Sequence, residues 1–307
     1  MKPTFLGIGA QKCASSWVYR ILRDHPEVTV SEPKELNFFT CGFDVGYGWY
    51  ENHFCGGGIA AGEISPSYFC SVDACRRAYN YNPAFKIIVA LRDPVERAYS
   101  NHLHEVREGH IGSADLSFEA AVDANPMYLE QSRYAAQITN WLRYFGASQL
   151  LCVFQEELSQ DPMRECKRVY EFLNVNPDFV PESLLVKANQ SKSARRPGLE
   201  MCIKQAGRGL RAAGLAPLVK RLNGLTVVKS IRRLNEQDLR SVVPPMAETT
   251  RNHIVSLLAD DMRSLLAVLG RDNLPWPSWQ LAREIMATAS VSEGGSAATD
   301  SNGTNRG

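Results

Sequence analysis

Residues 85–91 (FKIIVAL) narrow most sharply what this chain can become. A run so nearly continuous in apolar residues cannot leave one face in water. It fits a central strand of a parallel sheet covered by helices on both sides. The run stops at Arg92-Asp93-Pro94. There Asp93 suits an N-cap, Pro94 the first helical position and Glu96 the returning acid of a capping box, which predicts a helix to about residue 107. Similar patterning predicts strands over residues 4–8, 28–30, 59–64 and 150–154, and helices over 15–23, 162–173 and 247–269. His25-Pro26 stops the first helix, Tyr134, Ile138, Trp141, Leu142 and Phe145 share one face of another, and Pro275-Trp276-Pro277 closes the fold. Strands alternating with helices give an α/β class: a P-loop-like three-layer fold with a central parallel β-sheet flanked by helices.

The 307 residues, 44% hydrophobic and 22% charged, suffice for one such domain. Residues 1–287 are expected to form it. Residues 288–307, rich in Ser, Gly, Ala, Asn and Thr, are expected to be a disordered tail, since they cannot bury enough apolar surface to order themselves. Residues 1–12 hold only a short apolar run and no segment is long enough to span a bilayer, so neither a leader nor an integral membrane segment is expected. Eight cysteines (Cys13, Cys41, Cys55, Cys70, Cys75, Cys152, Cys166 and Cys202) are scattered without zinc spacing through a chain too large to need staples. They predict free thiols in a reducing cytoplasm and no bound metal. The formal net charge of +1 conceals an asymmetry, because residues 187–240 carry thirteen Lys and Arg against Glu200, Glu236 and Asp238. That segment should face something anionic, or plain solvent.

The first strand runs into Gly9-Ala10-Gln11-Lys12-Cys13-Ala14-Ser15-Ser16-Trp17. A strand, a tight turn and a helix start bring open backbone N–H groups and the positive end of a helix dipole together, which is an anion site by geometry. Lys12 adds an ammonium, and Ser15 and Ser16 add hydroxyls. A Walker A loop would carry its lysine immediately before the helix and after a second glycine. Lys12 comes too early for that, which argues against a nucleoside triphosphate with magnesium. Taken alone, the loop is equally a surface lysine beside a capped helix.

Further motifs follow in order. They are His25-Pro26-Glu27-Val28, Lys34-Glu35-Leu36-Asn37-Phe38-Phe39, Gly48-Trp49-Tyr50, Gly62-Glu63-Ile64-Ser65-Pro66-Ser67-Tyr68-Phe69, the stretch 86–100, Tyr134 with Asn140-Trp141-Leu142, and Ser191-Lys192-Ser193-Ala194-Arg195-Arg196-Pro197. Through these residues, over about 3–279, the chain resembles the sulfotransferase superfamily that uses 3′-phosphoadenosine-5′-phosphosulfate (PAPS). It is most similar to the branch holding the heparan sulfate N- and O-sulfotransferase domains and their bacterial relatives. The first loop of that branch has the pattern Q/R-K-x-G-T-T/R; here Ala14 replaces the glycine, and Ser15 and Ser16 replace the threonines.

The resemblance implies PAPS as donor co-substrate and its desulfated form PAP as product, with no metal required. Gln11, Lys12, Cys13, Ala14, Ser15, Ser16 and Trp17 would bind the donor, Lys12 at the bridging and sulfuryl oxygens and Ser15 and Ser16 at the 5′-phosphate. Arg92 and Ser100 would hold the 3′-phosphate, and Lys192 with Arg195 or Arg196 would close over the nucleotide. The implied reaction is in-line transfer to an acceptor hydroxyl or amine, with Lys12 stabilising the leaving group and Glu35 as general base. Glu35 could instead merely pair with Lys34, leaving His53, His102 or His104 as the base. Where the heparan sulfate enzymes often have Glu-Lys-Thr-Pro, with a second catalytic lysine, this chain has Ile64 in the lysine position. The acceptor would be a small molecule or glycan, on a carbohydrate, glycolipid or secondary metabolite, chosen by loops 41–58 and 108–128; no nucleic-acid partner is expected. Two other classes stay open: a P-loop kinase or NTPase, which magnesium dependence would reveal, and a non-catalytic nucleotide- or polyanion-binding module, which would transfer nothing.

Overall fold

A computed structural model describes residues 1–111, 116–184, 192–194, 236–238 and 243–296. Its contacts gather into two compact units, one of Met1–Asn101, Ala124–Ala188 and Ala247–Gly307, the other of His102–Asp123 and Asn189–Met246.

The first unit is built on five parallel strands: β1 (Phe5–Gly9), β2 (Val28–Val30), β3 (Ala60–Ile64), β4 (Lys86–Leu91) and β5 (Leu150–Phe154). They lie in the order β2-β3-β1-β4-β5, and each matches a strand expected from the sequence to within a residue or so. Every residue of β1 and β3 is buried, and in β4 all but Lys86, as a sheet covered on both faces requires. From central β1 the chain passes to the β2 edge, returns through β3, and then crosses to β4 on the other side. At such a reversal the loops leave a crevice outside the carboxyl ends of the strands, where α/β sheets hold ligands. Gly9 pairs with Val89 after an irregularity in the ladder, and Ala10 N donates to Ala90 O at 2.7 Å. The turns after β1 and β4 therefore leave the sheet side by side. Gly9 has φ +146°, and a Cβ on it would stand 2.7 Å from Phe69 Cβ, so only glycine fits here.

Helices α1 (Ser15–Asp24), α2 (Tyr47–Glu51), α3 (Val72–Tyr81), α4 (Pro94–Glu108), α5 (Phe118–Ala124), α6 (Met127–Glu130), α7 (Tyr134–Leu142), α8 (Gln155–Gln160), α9 (Pro162–Leu173), α10 (Glu248–Leu269) and α11 (Pro277–Ser296) complete the order. α1 buries Trp17, Val18, Ile21 and Leu22. α3 has no counterpart in the sequence pattern, because its buried face consists only of Ala74, Cys75 and Ala78. It is nevertheless well started, Ser71 Oγ accepting from Ala74 N at 3.1 Å.

The cap of α4 is half of what the sequence predicts. Asp93 Oδ1 accepts from Val95 N at 3.0 Å and Glu96 N at 3.2 Å. The reciprocal bond comes not from Glu96 but from Glu156, whose Oε1 accepts from Asp93 N at 2.9 Å. Glu96 is drawn away by two guanidinium groups, Arg251 at 2.7 Å and Arg92 at 3.5 Å, and a charged donor outweighs a neutral backbone one. Asp93 also accepts from Ser278 N at 2.9 Å and Ser278 Oγ at 2.8 Å. Pro275-Trp276-Pro277 therefore does not end the fold; Pro277 opens α11. That helix runs to Ser296, into the stretch from 288 assigned above to the tail. Alanines 287 and 289 favour helix even without an apolar face to bury. Residues 297–307 lie outside the described residues.

In the second unit β6 (Lys192–Ala194) pairs antiparallel with β7 (Glu236–Asp238), Lys192 opposite Asp238 and Ala194 opposite Glu236. The His102 ring bonds through Nε2 to Leu116 O at 2.9 Å and lies 5.6 Å from the Phe118 ring. Arg195, Arg196 and most of the basic segment 187–240 fall outside the described residues, as does Cys202. The other seven cysteines are free thiols. Among the described residues no helix is long and apolar enough to cross a membrane, and no cluster of three or more His, Cys, Asp or Glu could hold a metal ion.

Replacing Asp93 by alanine removes a buried carboxylate that serves two helix starts. Urea unfolding of Asp93→Ala should show a loss on the order of 3 kcal/mol, and Asp93→Asn, which keeps one acceptor oxygen, roughly half as much.

Candidate active site

The turn after β1 owes its shape to left-handed residues on either side of Cys13: Lys12 at φ 67° and Ala14 at φ 65°. Alternating handedness of this kind curls backbone N–H groups into an anion-binding concavity. Ala14 is the N-cap of α1 and provides no side-chain cap, and the first turn of α1 contains no acidic residue. The first turn of this helix thus brings no carboxylate of its own to the positive end, which suits it to an incoming anion. Trp17 differs from its neighbours. Its N–H is taken by Ala14 O at 2.8 Å, and its buried ring donates from Nε1 to Leu184 O at 3.2 Å. The Gln11 carbonyl accepts from Cys13 Sγ at 3.4 Å.

Beside this turn stands the segment that follows β2. Lys34 Nζ donates to Ser15 Oγ at 3.3 Å, to Ser16 Oγ at 3.5 Å and to Glu35 Oε1 at 2.9 Å. Glu35 therefore does pair with Lys34, as its plainer reading has it, but the same ammonium ties the carboxylate to the two loop hydroxyls. The Glu35 side chain is 47% exposed and that of Lys34 20%, so the carboxylate is open to a third party. The segment is held from β3 onward, with Asn37 N donating to Ser65 Oγ at 3.0 Å and Phe39 N to Tyr68 OH at 3.2 Å. Lys34 is the residue that sequence reasoning left out. Its position directly before Glu35 was visible, but not that its side chain reaches the other loop.

The turn after β4 joins the site through Tyr134. Its hydroxyl donates to Arg92 O at 2.9 Å and lies 3.5 Å from Cys13 Sγ, which links the two turns across buried atoms. Burial pushes the Cys13 thiol up to about 11, so it serves as a neutral packing and hydrogen-bonding group, not a nucleophile. Arg92 leans on Glu96 Oε2 at 3.5 Å, and Ser100 follows one turn along α4 on the Glu96 face. Arg92 and Ser100 are thereby neighbours of the same side chain. Each of the alternative bases has a place or a partner of its own. His53 bonds through Nδ1 to Trp49 O at 2.9 Å and lies against the Trp49 ring, His104 pairs with Arg107 at 2.6 Å, and His102 belongs to the second unit. Ile64, in the place of the relatives' second lysine, is buried and packs over Gly7, where an added Cβ would meet its Cδ1 at 2.7 Å. Lys192 lies in β6 of the second unit.

A family model described as "Sulfotransferase domain" matches residues 2–196. The chain belongs to the sulfotransferase family. The chain is 32% identical over 221 residues to heparan sulfate glucosamine 3-O-sulfotransferase 6 of Mus musculus, covering 67% of this chain and 64% of that one. To the human bifunctional heparan sulfate N-deacetylase/N-sulfotransferase 3 it is 31% identical over 198 residues, covering 58% of this chain and 23% of the relative. The chain thus spans less than two thirds of the length of either. A solved sulfotransferase from Alicyclobacillus acidocaldarius superposes with a TM-score of 0.64 at 24% identity, over 91% of this chain and 99% of that one. That likeness establishes the shared P-loop-like α/β fold expected from the sequence.

Ala14 occupies a conformation that an L-residue with a Cβ adopts at a penalty of about 1 kcal/mol, in the position where the family pattern has glycine. Ala14→Gly should raise the stability of the chain by up to about that amount in chemical denaturation, in line with the general preference for glycine over alanine at an N-cap.

Proposed function

We propose that this sulfotransferase moves the sulfuryl group of PAPS to a hydroxyl or amine of a small-molecule or glycan acceptor, with residues 1–287 as its catalytic domain. The observation that carries the reading is the Lys34 ammonium, which joins the Glu35 carboxylate to the Ser15 and Ser16 hydroxyls. A candidate base and a candidate anion loop, distant in sequence, are held within one residue's reach of each other. The donor fits the residues present: it offers phosphate to a helix start without acids of its own, and a second phosphate to an arginine at the neighbouring strand end.

In this reading the N–H groups of the turn, with Ser15 and Ser16, hold the 5′-phosphate, while Arg92 and Ser100 hold the 3′-phosphate. Glu35 accepts the proton of the acceptor as its oxygen or nitrogen attacks sulfur in line. The bond from sulfur to the bridging oxygen breaks, and Lys12 stabilises the negative charge left on that oxygen, so PAP departs. No metal is required for this balance, because the charge is met by ammonium and backbone dipoles. Lys192 with Arg195 or Arg196 would close over the bound nucleotide. Carbohydrate acceptors come first, supported by the names of the heparan sulfate relatives, then glycolipids and secondary metabolites; Ile64 in place of a lysine speaks against an identical acceptor. The reading includes a cytoplasmic location and no nucleic-acid partner.

Calorimetric titration with PAP, against adenosine monophosphate and ATP with magnesium, tests the donor. PAP should bind at least tenfold tighter than either control, and Lys12→Ala should weaken it. Preference for ATP with magnesium would instead indicate a kinase-like enzyme. Turnover is read as PAP released from PAPS with heparan sulfate oligosaccharides, simple glycosides and phenols as acceptors. Glu35→Gln should keep PAP affinity within about twofold and lower turnover by about 10²-fold or more. Undiminished turnover would transfer the role of base to a histidine.

A further inference from the structure

Glu63, on β3, is entirely buried, although a carboxylate is among the groups least often found inside a protein. Burial pushes its carboxyl up, opposed by the Ser65, Tyr68 and Tyr50 hydroxyls and the Leu36 N–H. Its Oε2 accepts from Ser65 Oγ at 2.5 Å and from Leu36 N at 3.3 Å, and its Oε1 accepts from Tyr68 OH at 2.6 Å. These three partners are uncharged, so no ion pair among them accounts for placing the group there.

The same hydroxyls also act as acceptors. Ser65 Oγ accepts from Asn37 N at 3.0 Å and Tyr68 OH from Phe39 N at 3.2 Å. As a carboxylate Glu63 can only accept, which turns both hydroxyl protons toward it and both hydroxyl lone pairs toward the backbone. The N–H groups of Leu36, Asn37 and Phe39 thus end on acceptors whose direction one carboxylate sets. That stretch of backbone begins at the residue after Glu35. Cooperative bonds in a dry environment make such an arrangement stiff.

We propose that Glu63 is a positioning residue for Glu35, holding the backbone of residues 36–39 so that the Glu35 carboxylate meets the acceptor proton, without itself touching donor or acceptor. The inference rests on the role of Glu35 as general base. Glutamine at position 63 keeps the shape but brings an N–H₂ donor to where three donors already point, so at least one hydroxyl must turn its proton away and the acceptors of this backbone are redirected.

The test is a double-mutant cycle of Glu63→Gln and Glu35→Gln, read as turnover of PAPS with the best acceptor of the panel above and as PAP affinity. Glu63→Gln should lower kcat by roughly 10- to 100-fold, leave PAP affinity and donor KM within about twofold, and add no more than about twofold to the loss already present in Glu35→Gln. Ser65→Ala, which removes the acceptor of Asn37 N and one of the donors to Glu63, should show a smaller loss with the same non-additivity and serves if Glu63→Gln does not fold. Hydrogen exchange gives a readout independent of acceptor: protection of residues 36–39 should fall about tenfold or more in Glu63→Gln while that of β1 and α1 stays unchanged. Multiplicative losses in the cycle, a matching loss of PAP affinity, or unchanged exchange at residues 36–39 would overturn the positioning role while leaving Glu35 as base. Wild-type turnover in Glu35→Gln would overturn both, and is recognisable because it appears in the single variant alone.

Discussion

The Asp93 carboxylate holds together the end of the sheet on which the site is built. It sits where β4 stops, caps α4, and accepts twice from Ser278 at the start of α11, 185 residues along the chain. Its own N–H is passed to Glu156, which also accepts from Trp276 Nε1 at 3.1 Å. Burial raises the stakes of such a network, since the low dielectric that strengthens each bond also penalises any donor left over. Arg92 directly precedes this joint, and its carbonyl is taken by Tyr134. The backbone of the proposed 3′-phosphate arginine is thus fixed on both sides, and only its side chain is left to adapt. A bidentate guanidinium is most useful when it is presented in this way.

The first loop is held by different means. The chain has no side-chain cap at the head of α1, no acid in its first turn, and two left-handed residues that are not glycine. Each of these would be a defect in a helix start meant only for stability. Together they leave a concave backbone at the positive end of the helix, without a side-chain cap or an acid of its own, as strain at functional sites often does. Cys13 helps to hold this shape because its buried thiol stays neutral and can bridge Gln11 O and the Tyr134 hydroxyl.

The sheet was legible in the sequence because its strands are short runs dominated by apolar residues, buried throughout in β1 and β3 and in all but Lys86 of β4, and even the partly buried β2 and β5 have the very bounds that their apolar residues mark. α1, α4 and α9 were legible from prolines and candidate caps, and α10 from its apolar patterning. Helices whose buried face is made of small residues, such as α3, carry too weak a periodicity to be seen, and α11 was hidden behind a proline read as an end when it was a beginning. The same limit separates the two halves of the site. Lys12, Ser15, Ser16, Arg92 and Glu35 could be picked out as residue types in the right local setting. That Lys34 joins two of those settings, or that Glu156 and not Glu96 answers Asp93, is decided by which side chains meet across the fold. Local spacing has no access to that.

In the proposed reading, Glu35 and Glu63 are one residue type serving two ends according to where it is placed. Glu35 is 47% exposed and paired with a lysine that is 20% exposed, so its carboxylate is open to a group that approaches from outside. Glu63 is 0% exposed and faces hydroxyls and a backbone N–H, so it has no route to a proton donor from outside and acts only by direction. A reactive carboxylate on a loop has many accessible positions, most of them unproductive, and transfer in line tolerates little misplacement. Placing an inert carboxylate beneath the backbone that carries the reactive one restricts those positions without touching the chemistry. It also explains why a group so unfavourable to bury stands inside the sheet, two residues before the serine and five before the tyrosine that complete the bracket.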